Sequence, residues 1–424
     1  MPNPQFSRSD LTNDVNDMIK GSMSSTTQQD RIFERAIRDV ISDIDFYSTK
    51  RRVPLSIDGA NAVYSETTDG TYDSDVRSDI LEEEDDYFFH CPTDLKGNAV
   101  VDIRKRYDKG FDPFCLTTPE EFLRKKSYSE EMVALDVNQF SMKKLMVSGI
   151  EDIDTEMIHN CDTYDGDGTW AADGAQITAV ATETSNYVEG IGAIGFTTVT
   201  GAIAGGTLTV SDMTAVDISD YEDHSVYVWV YIPMDTDLTS FTLKWGSSSA
   251  AYFSRTVTKT HDGVSFFVGW NLLRFPWADA TETGTVVETA IDYLQLTVIK
   301  GASNTGTTGW IMDRIIAQED SEFDVIYYTD HPWQNTSGVY LMESTSDTDL
   351  LNADLTEYNL YVLKAAQYCS GFLDEERGEE KYRAEYEKRK QDYISQHPSE
   401  RMNLTTSYQD LESLEGNIND SIND

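Results

Sequence analysis

The chain has 424 residues, of which 39% are hydrophobic and 11% aromatic, and its formal net charge is −42. This length exceeds one ordinary core, so about two or three domains are expected. Such an acidic surface repels phosphate backbones, which excludes a protein that reads DNA sequence or wraps single-stranded DNA. It fits a channel wall past which DNA slides, and it fits equally a protein kept soluble in a saline habitat.

The cysteines and the apolar runs bear on where the protein is made. Cys91, Cys115, Cys161 and Cys369 lie far apart and form no CxxC pair. They predict reduced, partly buried thiols of a protein made in a cytoplasm, and no spacing suggests zinc. The first ten residues lack the apolar stretch of a secretory signal, and no run approaches membrane-spanning length. The sequence therefore predicts a soluble protein without membrane contact.

Both ends of the chain show helical periodicity. A short helix is predicted over residues 10–20 and a longer one over residues 29–47, each with one apolar side. The stripe of the longer helix consists of Ile32, Ala36, Ile37, Val40, Ile41 and Ile44. Near the other end, residues 355–395 form the longest helical stretch, which Gly371 and Gly378 are expected to divide in two.

The middle of the chain has a different composition. A strand pair is predicted over residues 132–148, and from residue 160 to residue 318 Thr, Gly, Ala and Val dominate. Short strands alternate there with Gly, Asp, Asn and Ser clusters, a spacing typical of an antiparallel sandwich. Residues 398–424 are polar and lack a core pattern, so they are expected to become ordered only on a partner.

Three groups of residues, taken in their order, resemble a known family. They are Asp43-Ile44-Asp45-Phe46-Tyr47, then Tyr87-Phe88-Phe89 with Pro92-Thr93-Asp94-Leu95-Lys96, and then Ile326-Tyr327-Tyr328 with Tyr358-Asn359-Leu360-Tyr361, Lys364-Ala365-Ala366 and the charged helix after Asp374. Over residues 1–150 and 319–424 the chain resembles the head-to-tail adaptors of short-tailed phages.

The resemblance implies a non-enzymatic virion protein of the neck, assembled in the host cytoplasm. Its subunits would form a homo-oligomeric ring of about twelve copies, which requires contacts between two different patches of adjacent copies. The ring would join the portal protein to tail or nozzle proteins. During genome ejection, double-stranded DNA would pass through it without specific binding.

The middle of the chain resembles the jelly-roll sandwiches used as carbohydrate-binding modules. The segments concerned are Tyr187-Val188-Glu189-Gly190-Ile191-Gly192-Ala193-Ile194-Gly195-Phe196, Trp270-Asn271-Leu272-Leu273-Arg274-Phe275 and Ile291-Asp292-Tyr293-Leu294. Ala193 stands where that group usually has serine. The resemblance implies a structural Ca²⁺ held by Glu189 and Asp313. Because the termini of such a sandwich lie close together, a whole module can be inserted into a loop of another domain.

These inferences predict an α+β multidomain chain, in which a small α-helical adaptor bundle with β-hairpins is interrupted by an all-β jelly-roll sandwich. The predicted divisions are residues 1–150 for the first part of the adaptor domain, 151–318 for the inserted sandwich, 319–397 for the helical second part of the adaptor domain and 398–424 for a tail that docks on the portal.

Two further groups of residues in the middle of the chain can be interpreted either as binding sites or as structural features without a ligand. One strand carries aromatic residues at alternate positions, Tyr227, Trp229 and Tyr231. They form either an aromatic platform for sugar rings or part of a strand that is buried on both faces, and the buried strand is favoured. Asp162, Asp165 and Asp167 offer the hard oxygens that Ca²⁺ prefers, but a solvated acidic turn is favoured.

Aromatic and apolar residues near the C-terminus are candidates for contacts with other subunits. Tyr382, Tyr386 and Tyr393 are either anchors of a ring interface or parts of a solvent-exposed charged helix. In the tail, the candidate portal contacts are Tyr408, Leu411 and Leu414.

No sequence motif indicates catalysis. GxSxG, HExxH, a P-loop and a helix-opening GxGxxG are all absent from the sequence, so no enzyme activity and no cofactor other than the structural Ca²⁺ are expected. The alternative to the adaptor is a carbohydrate-binding virion decoration or host-recognition protein, in which the sandwich performs the work. A carbohydrate-active enzyme is a third, remote interpretation.

Overall fold

The chain divides into two compact units in a computed structural model. The model describes residues 5–21, 26–56, 88–106, 114–118, 122, 132–137, 143–148, 153–201, 203–302, 305–373 and 375–400. The helical unit comprises Met1–Val53, Pro92–Pro113 and Asp324–Asn403, and the sandwich unit comprises Pro54–Cys91, Phe114–Phe323 and Leu404–Asp424. Most of the predicted tail, with Tyr408, Leu411 and Leu414, lies outside the described residues.

The strands are numbered in chain order. They are β1 (Gln5–Ser7), β2 (Lys50–Pro54), β3 (Phe88–His90), β4 (Leu95–Lys105), β5 (Cys115–Leu116), β6 (Met132–Val137), β7 (Lys143–Ser148), β8 (Thr155–His159), β9 (Ala171–Ala172), β10 (Ile177–Glu183), β11 (Ala193–Thr200), β12 (Ile203–Val210), β13 (Ser225–Ile232), β14 (Leu238–Ser248), β15 (Ala251–Val257), β16 (Gly269–Pro276), β17 (Thr281–Thr283), β18 (Tyr293–Lys300), β19 (Thr305–Gln318), β20 (Phe323–Thr329), β21 (Trp333–Gln334), β22 (Tyr340–Leu341) and β23 (Leu350–Asn352).

The helical unit takes its helices from both ends of the chain. They are α1 (Arg8–Ile19), α2 (Thr26–Asp43), α3 (Leu355–Phe372) and α4 (Glu376–Gln396). Capping boxes start α1 at Ser7 and α3 at Asp354, so each first turn has its free N–H groups satisfied. The long C-terminal stretch divides after Phe372, close to the predicted position, while α2 ends before the predicted residue 47. None of the helices in the described part of the chain is both long and apolar enough to cross a bilayer.

The helices of this unit share one core. It is built from side chains of all four helices, among them Leu11, Val15, Phe33, Ile37, Ile41, Leu360, Tyr361 and Tyr386. Phe46, which follows α2, and Trp333 of β21 also belong to this core. Two small sheets complete the unit, in the orders β1-β23-β21-β22 and β2-β20-β4. Segments from the start and from the end of the chain therefore bury their apolar sides against one another.

Buried polar contacts join segments of the helical unit that lie far apart in the chain. The Lys96 ammonium donates to Asp45 Oδ1 at 2.7 Å and to the Ile44 carbonyl at 2.8 Å. Arg51 is ion-paired with Asp94, which also accepts a hydrogen bond from the Tyr327 hydroxyl at 2.6 Å. These contacts satisfy charges that would otherwise be costly to bury.

The sandwich unit contains two antiparallel sheets around one core. The first sheet has the order β10-β11-β19-β13-β16, with β8 also paired to β19, and the second has the order β17-β15-β14-β18-β12-β9. The core between them includes Trp170, Phe196, Val228, Phe241, Leu243, Trp245, Phe275, Leu296 and Trp310. The predicted antiparallel sandwich is confirmed.

The sandwich unit also includes strands that the sequence analysis assigned to the adaptor domain. β6 and β7 form the predicted strand pair, in a sheet with the order β3-β7-β6-β5. This sheet belongs to the same compact unit as the sandwich. The predicted domain boundary at residue 150 is therefore corrected. It was placed where the amino-acid composition changes, and composition does not show which strands pack together.

Candidate functional site

The carboxylates predicted to hold calcium lie together in the sandwich unit. Glu189 and Asp313 are both fully buried, and Asp162 is nearly so. The Arg314 guanidinium forms an ion pair with Glu189, while Asp313 Oδ2 accepts the backbone N–H of Val188 at 2.7 Å and that of Glu189 at 3.1 Å. Burial raises the pKa of the Asp313 carboxyl well above its ordinary value.

The Glu189-Gly190 turn is held from two sides by acidic residues. Asp162 Oδ1 accepts the backbone N–H of Ile191 at 2.8 Å, opposite the contacts from Asp313. Gly190 has a φ of +83°, and a Cβ placed on it would lie 1.5 Å from Asp162 Oδ1. Only glycine fits this position, so the turn's sequence is explained by local packing.

These residues do not fit a calcium site. The Arg314 guanidinium supplies the positive charge next to Glu189, and backbone N–H groups occupy the oxygens of Asp313. Among the described residues, no group of three or more His, Cys, Asp or Glu side chains has the arrangement of a metal site. The Ca²⁺ prediction is corrected, because an arginine and backbone N–H groups balance the charge of these carboxylates. A sequence pattern cannot distinguish such carboxylates from metal ligands.

The acidic turn before Trp170 is likewise structural. Asp167 Oδ1 accepts the backbone N–H of Thr214 at 2.7 Å, and Asp165 is exposed. Asp162 turns inward to the Glu189-Gly190 turn. The favoured interpretation of a turn without an ion fits these contacts.

Tyr227, Trp229 and Tyr231 do not form an exposed platform. Tyr227 is 2% and Trp229 1% exposed, and Tyr231 is half-buried. The His90 ring stacks on the Trp229 ring at 5.2 Å between centroids, and the Ser56 hydroxyl lies 3.5 Å from the Tyr227 hydroxyl. The strand buried on both faces is thus confirmed, and a Trp229→Ala variant would report on folding and not on sugar binding.

Tyr382, Tyr386 and Tyr393 anchor α4 to its own chain. They are 7%, 0% and 2% exposed. The Tyr382 hydroxyl donates to the Met18 carbonyl at 2.6 Å and the Tyr393 hydroxyl to Glu357 at 2.7 Å. The prediction that these side chains contact a neighbouring subunit is corrected, because helical spacing of aromatic residues does not tell which partner covers them.

The outward side of the second sandwich sheet has a distinct composition, and we call it the threonine face. Because side chains alternate along a strand, it holds the residues between those that point into the core. Strand pairing aligns three rows: Thr283, Tyr252, Gly246 and Tyr293; then Thr281, Ser254, Lys244, Gln295 and Thr209; then Thr256, Thr242, Thr297 and Thr207. Most of these side chains are half-buried, and Thr256, Thr281 and Thr283 are exposed.

Aromatic rings border the threonine face at one side. The Tyr252 and Tyr293 rings lie 6.2 Å apart between centroids, on either side of Gly246. A Cβ on Gly246 would lie 2.2 Å from the Ala251 carbonyl oxygen, so the glycine allows the strands to approach. Tyr293 is buried, and burial raises the pKa of its hydroxyl, whereas the Tyr252 ring is half-buried and faces outward.

The central and third rows of the threonine face carry hydrogen-bonding groups. The Gln295 amide donates to the Thr209 hydroxyl at 2.9 Å, and the Thr242 and Thr256 hydroxyls lie 2.6 Å apart. The Lys244 ammonium lies 4.5 Å from the centroid of the Tyr252 ring. Sequence reasoning missed this face because its residues come from strands that are far apart in the chain.

Comparison with known proteins does not identify a family for this chain. No protein-family model matches the chain, and no curated protein matches it. An arabinose-bound MgGH51 α-L-arabinofuranosidase is 10% identical over 39% of this chain, at a TM-score of 0.26, and the match covers only 26% of that enzyme.

The match covers almost the whole length of two solved carbohydrate-binding modules. The family 30 module of a cellulosomal cellulase of Clostridium thermocellum is 12% identical over 38% of this chain and 96% of its own, at a TM-score of 0.29. Another family 30 carbohydrate-binding module is 12% identical over 39% of this chain and 89% of its own, at 0.30. TM-scores this low carry no argument about fold or function, so the site is judged on its own geometry.

Proposed function

We propose that the chain is a glycan-binding protein whose sandwich unit holds the sugar on the threonine face. The observation that carries the proposal is the half-buried Tyr252 ring beside rows of uncharged hydroxyl and amide groups. A sugar ring presents an apolar C–H side that packs on an aromatic ring and hydroxyls that exchange hydrogen bonds with Thr, Ser and Gln. The role is binding without catalysis.

Screening the full chain on a glycan array tests the proposal. Tyr252→Ala is expected to weaken binding of the selected glycan about tenfold, because it removes the stacking surface. Tyr252→Phe keeps the ring and is expected to bind like the parent chain, and circular dichroism checks that both variants are folded. Absence of specific binding, or an unchanged affinity of Tyr252→Ala, would contradict the proposal.

A second candidate function is the head-to-tail adaptor of a short-tailed phage. It is favoured by one observation, namely that two contacts in the helical unit, Lys96 with Asp45 and Tyr327 with Asp94, connect the three residue groups of the resemblance. In this proposal the chain forms a ring between portal and tail proteins, and residues 398–424 dock on the portal.

Negative-stain imaging of the purified chain mixed with the portal of its own virus tests the second candidate. The expected result is rings on the portal. Deletion of residues 401–424, which include Tyr408, Leu411 and Leu414, is expected to leave a folded chain that no longer joins it. Unchanged joining after deletion would contradict docking by the tail, and absence of rings would contradict the adaptor itself.

A further inference from the structure

We propose that the glycan bound on the threonine face is acidic, bearing carboxylate or sulfate groups that Lys244 recognises. The inference rests on the proposed glycan binding and adds the chemical class of the ligand. It starts from the distribution of charge. With 75 acidic residues among 424, about two would be expected on the thirteen positions of the three rows, and this described part of the sheet has none.

Lys244 is the one cation on these thirteen positions. It lies in the central row, between Ser254 and Gln295, and all its neighbours in the described rows, within its own row and diagonally, are uncharged. Its ammonium lies over the Tyr252 ring, 4.5 Å from the ring centroid. The one fixed charge of the face therefore lies beside the ring on which a sugar would stack.

The net charge of the chain does not oppose an acidic ligand at this place. At physiological ionic strength the field of an exposed charge decays over about 8 Å, so a bound group responds to its nearest neighbours. On the threonine face those neighbours are hydroxyls, an amide and one ammonium. One carboxylate lies beside the third row, where Asp173 accepts the backbone N–H of Thr207 at 3.0 Å. It lies three strands away from Lys244, which is about 14 Å at the ordinary spacing of strands, and strand pairing places no acidic residue on the thirteen positions themselves.

An acidic sugar uses Lys244 better than a neutral one. A neutral hydroxyl offers the ammonium an ordinary hydrogen bond, whereas a carboxylate or sulfate accepts a charge-assisted bond of about twice the strength. The hydroxyls of Thr242 and Thr297 and the amide of Gln295 can donate to the remaining anionic oxygens. Selection between acidic and neutral glycans would then depend on this lysine.

Matched glycan pairs test the inference with the full chain. The probes are polygalacturonate with its methyl-esterified form, and dextran sulfate with dextran, printed beside the neutral and acidic oligosaccharides of the array. The chain is expected to bind the acidic member of at least one pair. Lys244→Gln is expected to weaken this binding about tenfold, because a charge-assisted contact is lost. Lys259→Gln, which removes an exposed charge beyond the end of β15, is the control and is expected to change nothing.

The outcomes separate this inference from the function on which it rests. Equal binding of both members of every bound pair, or equal effects of Lys244→Gln and Lys259→Gln, would overturn the acidic ligand and leave glycan binding intact. Binding to no glycan of any kind would overturn both. Preference for the uronate pair or the sulfate pair identifies which anionic group the face selects.

Discussion

The helical unit and the sandwich unit deal with an acid-rich composition in opposite ways. In the helical unit, carboxylates on one segment accept hydrogen bonds from tyrosines on another, as Asp14 does from Tyr358 at 2.7 Å and Glu357 from Tyr393 at 2.7 Å. In the sandwich unit, acidic residues hold turns and are absent from the described rows of the threonine face. A net charge therefore says little about where charge lies or what it does.

Breaking the buried ion pair of the sandwich is expected to have the largest effect. Arg314→Ala removes the guanidinium that balances the buried Glu189 carboxylate, which costs about 3–5 kcal/mol of unfolding free energy. The control is Arg255→Ala, which breaks a surface pair with Asp279 and costs about 0–1 kcal/mol. Urea titrations compare the two variants, and equal losses would show that Arg314 is not needed to balance the buried charge.

The helical unit contains a carboxyl that should make its stability depend on pH. Burial, opposed by the Arg8 guanidinium, raises the pKa of Glu34 from 4.5 to about 7. Between these values the folded chain holds a proton that the unfolded chain releases, so the unfolding free energy falls as pH rises through this window. The fall is on the order of 2 kcal/mol and should vanish in Glu34→Gln, as measured by urea titrations from pH 5 to pH 8. A parallel fall in the variant would assign the effect to other groups.

Removing one buried tyrosine hydroxyl of the helical unit is expected to have a smaller effect on stability. Tyr393→Phe removes the hydrogen bond that the hydroxyl donates to Glu357 and the one that it accepts from the Tyr47 backbone N–H, at a cost of about 1–2 kcal/mol. Tyr47→Phe, in which the lost hydroxyl belongs to a side chain that is 67% exposed, is expected to stay within about 0.5 kcal/mol of the parent chain. Thermal unfolding distinguishes the two, and identical midpoints would mean that the buried hydroxyl is not a stabilising contact.

Local patterns predicted much of the secondary structure. The apolar stripe of α2 and the strand pair β6–β7 follow from periodicities of the chain itself. The division between α3 and α4 falls near two glycines, as expected from their low helix propensity. Such features are decided by neighbours in the sequence.

The parts that could not be predicted depend on contacts between distant segments. Alternation in β13 cannot tell a platform from a buried strand, since His90, which covers Trp229, comes from well over a hundred positions earlier. Glu189 and Asp313 suggested calcium because the pattern does not include the position of Arg314. The threonine face exists only once the register of its strands is known.

The core that the first two helices share with the last two has a consequence for synthesis. As the nascent chain leaves the ribosome, the apolar sides of α1 and α2 must wait until α3 and α4 have been translated. The sandwich strands emerge in between and can pair with each other at once, so they should fold first, while the early helices remain open to chaperones. A ribosome stalled before residue 355 would therefore carry a finished sandwich and unfinished N-terminal helices.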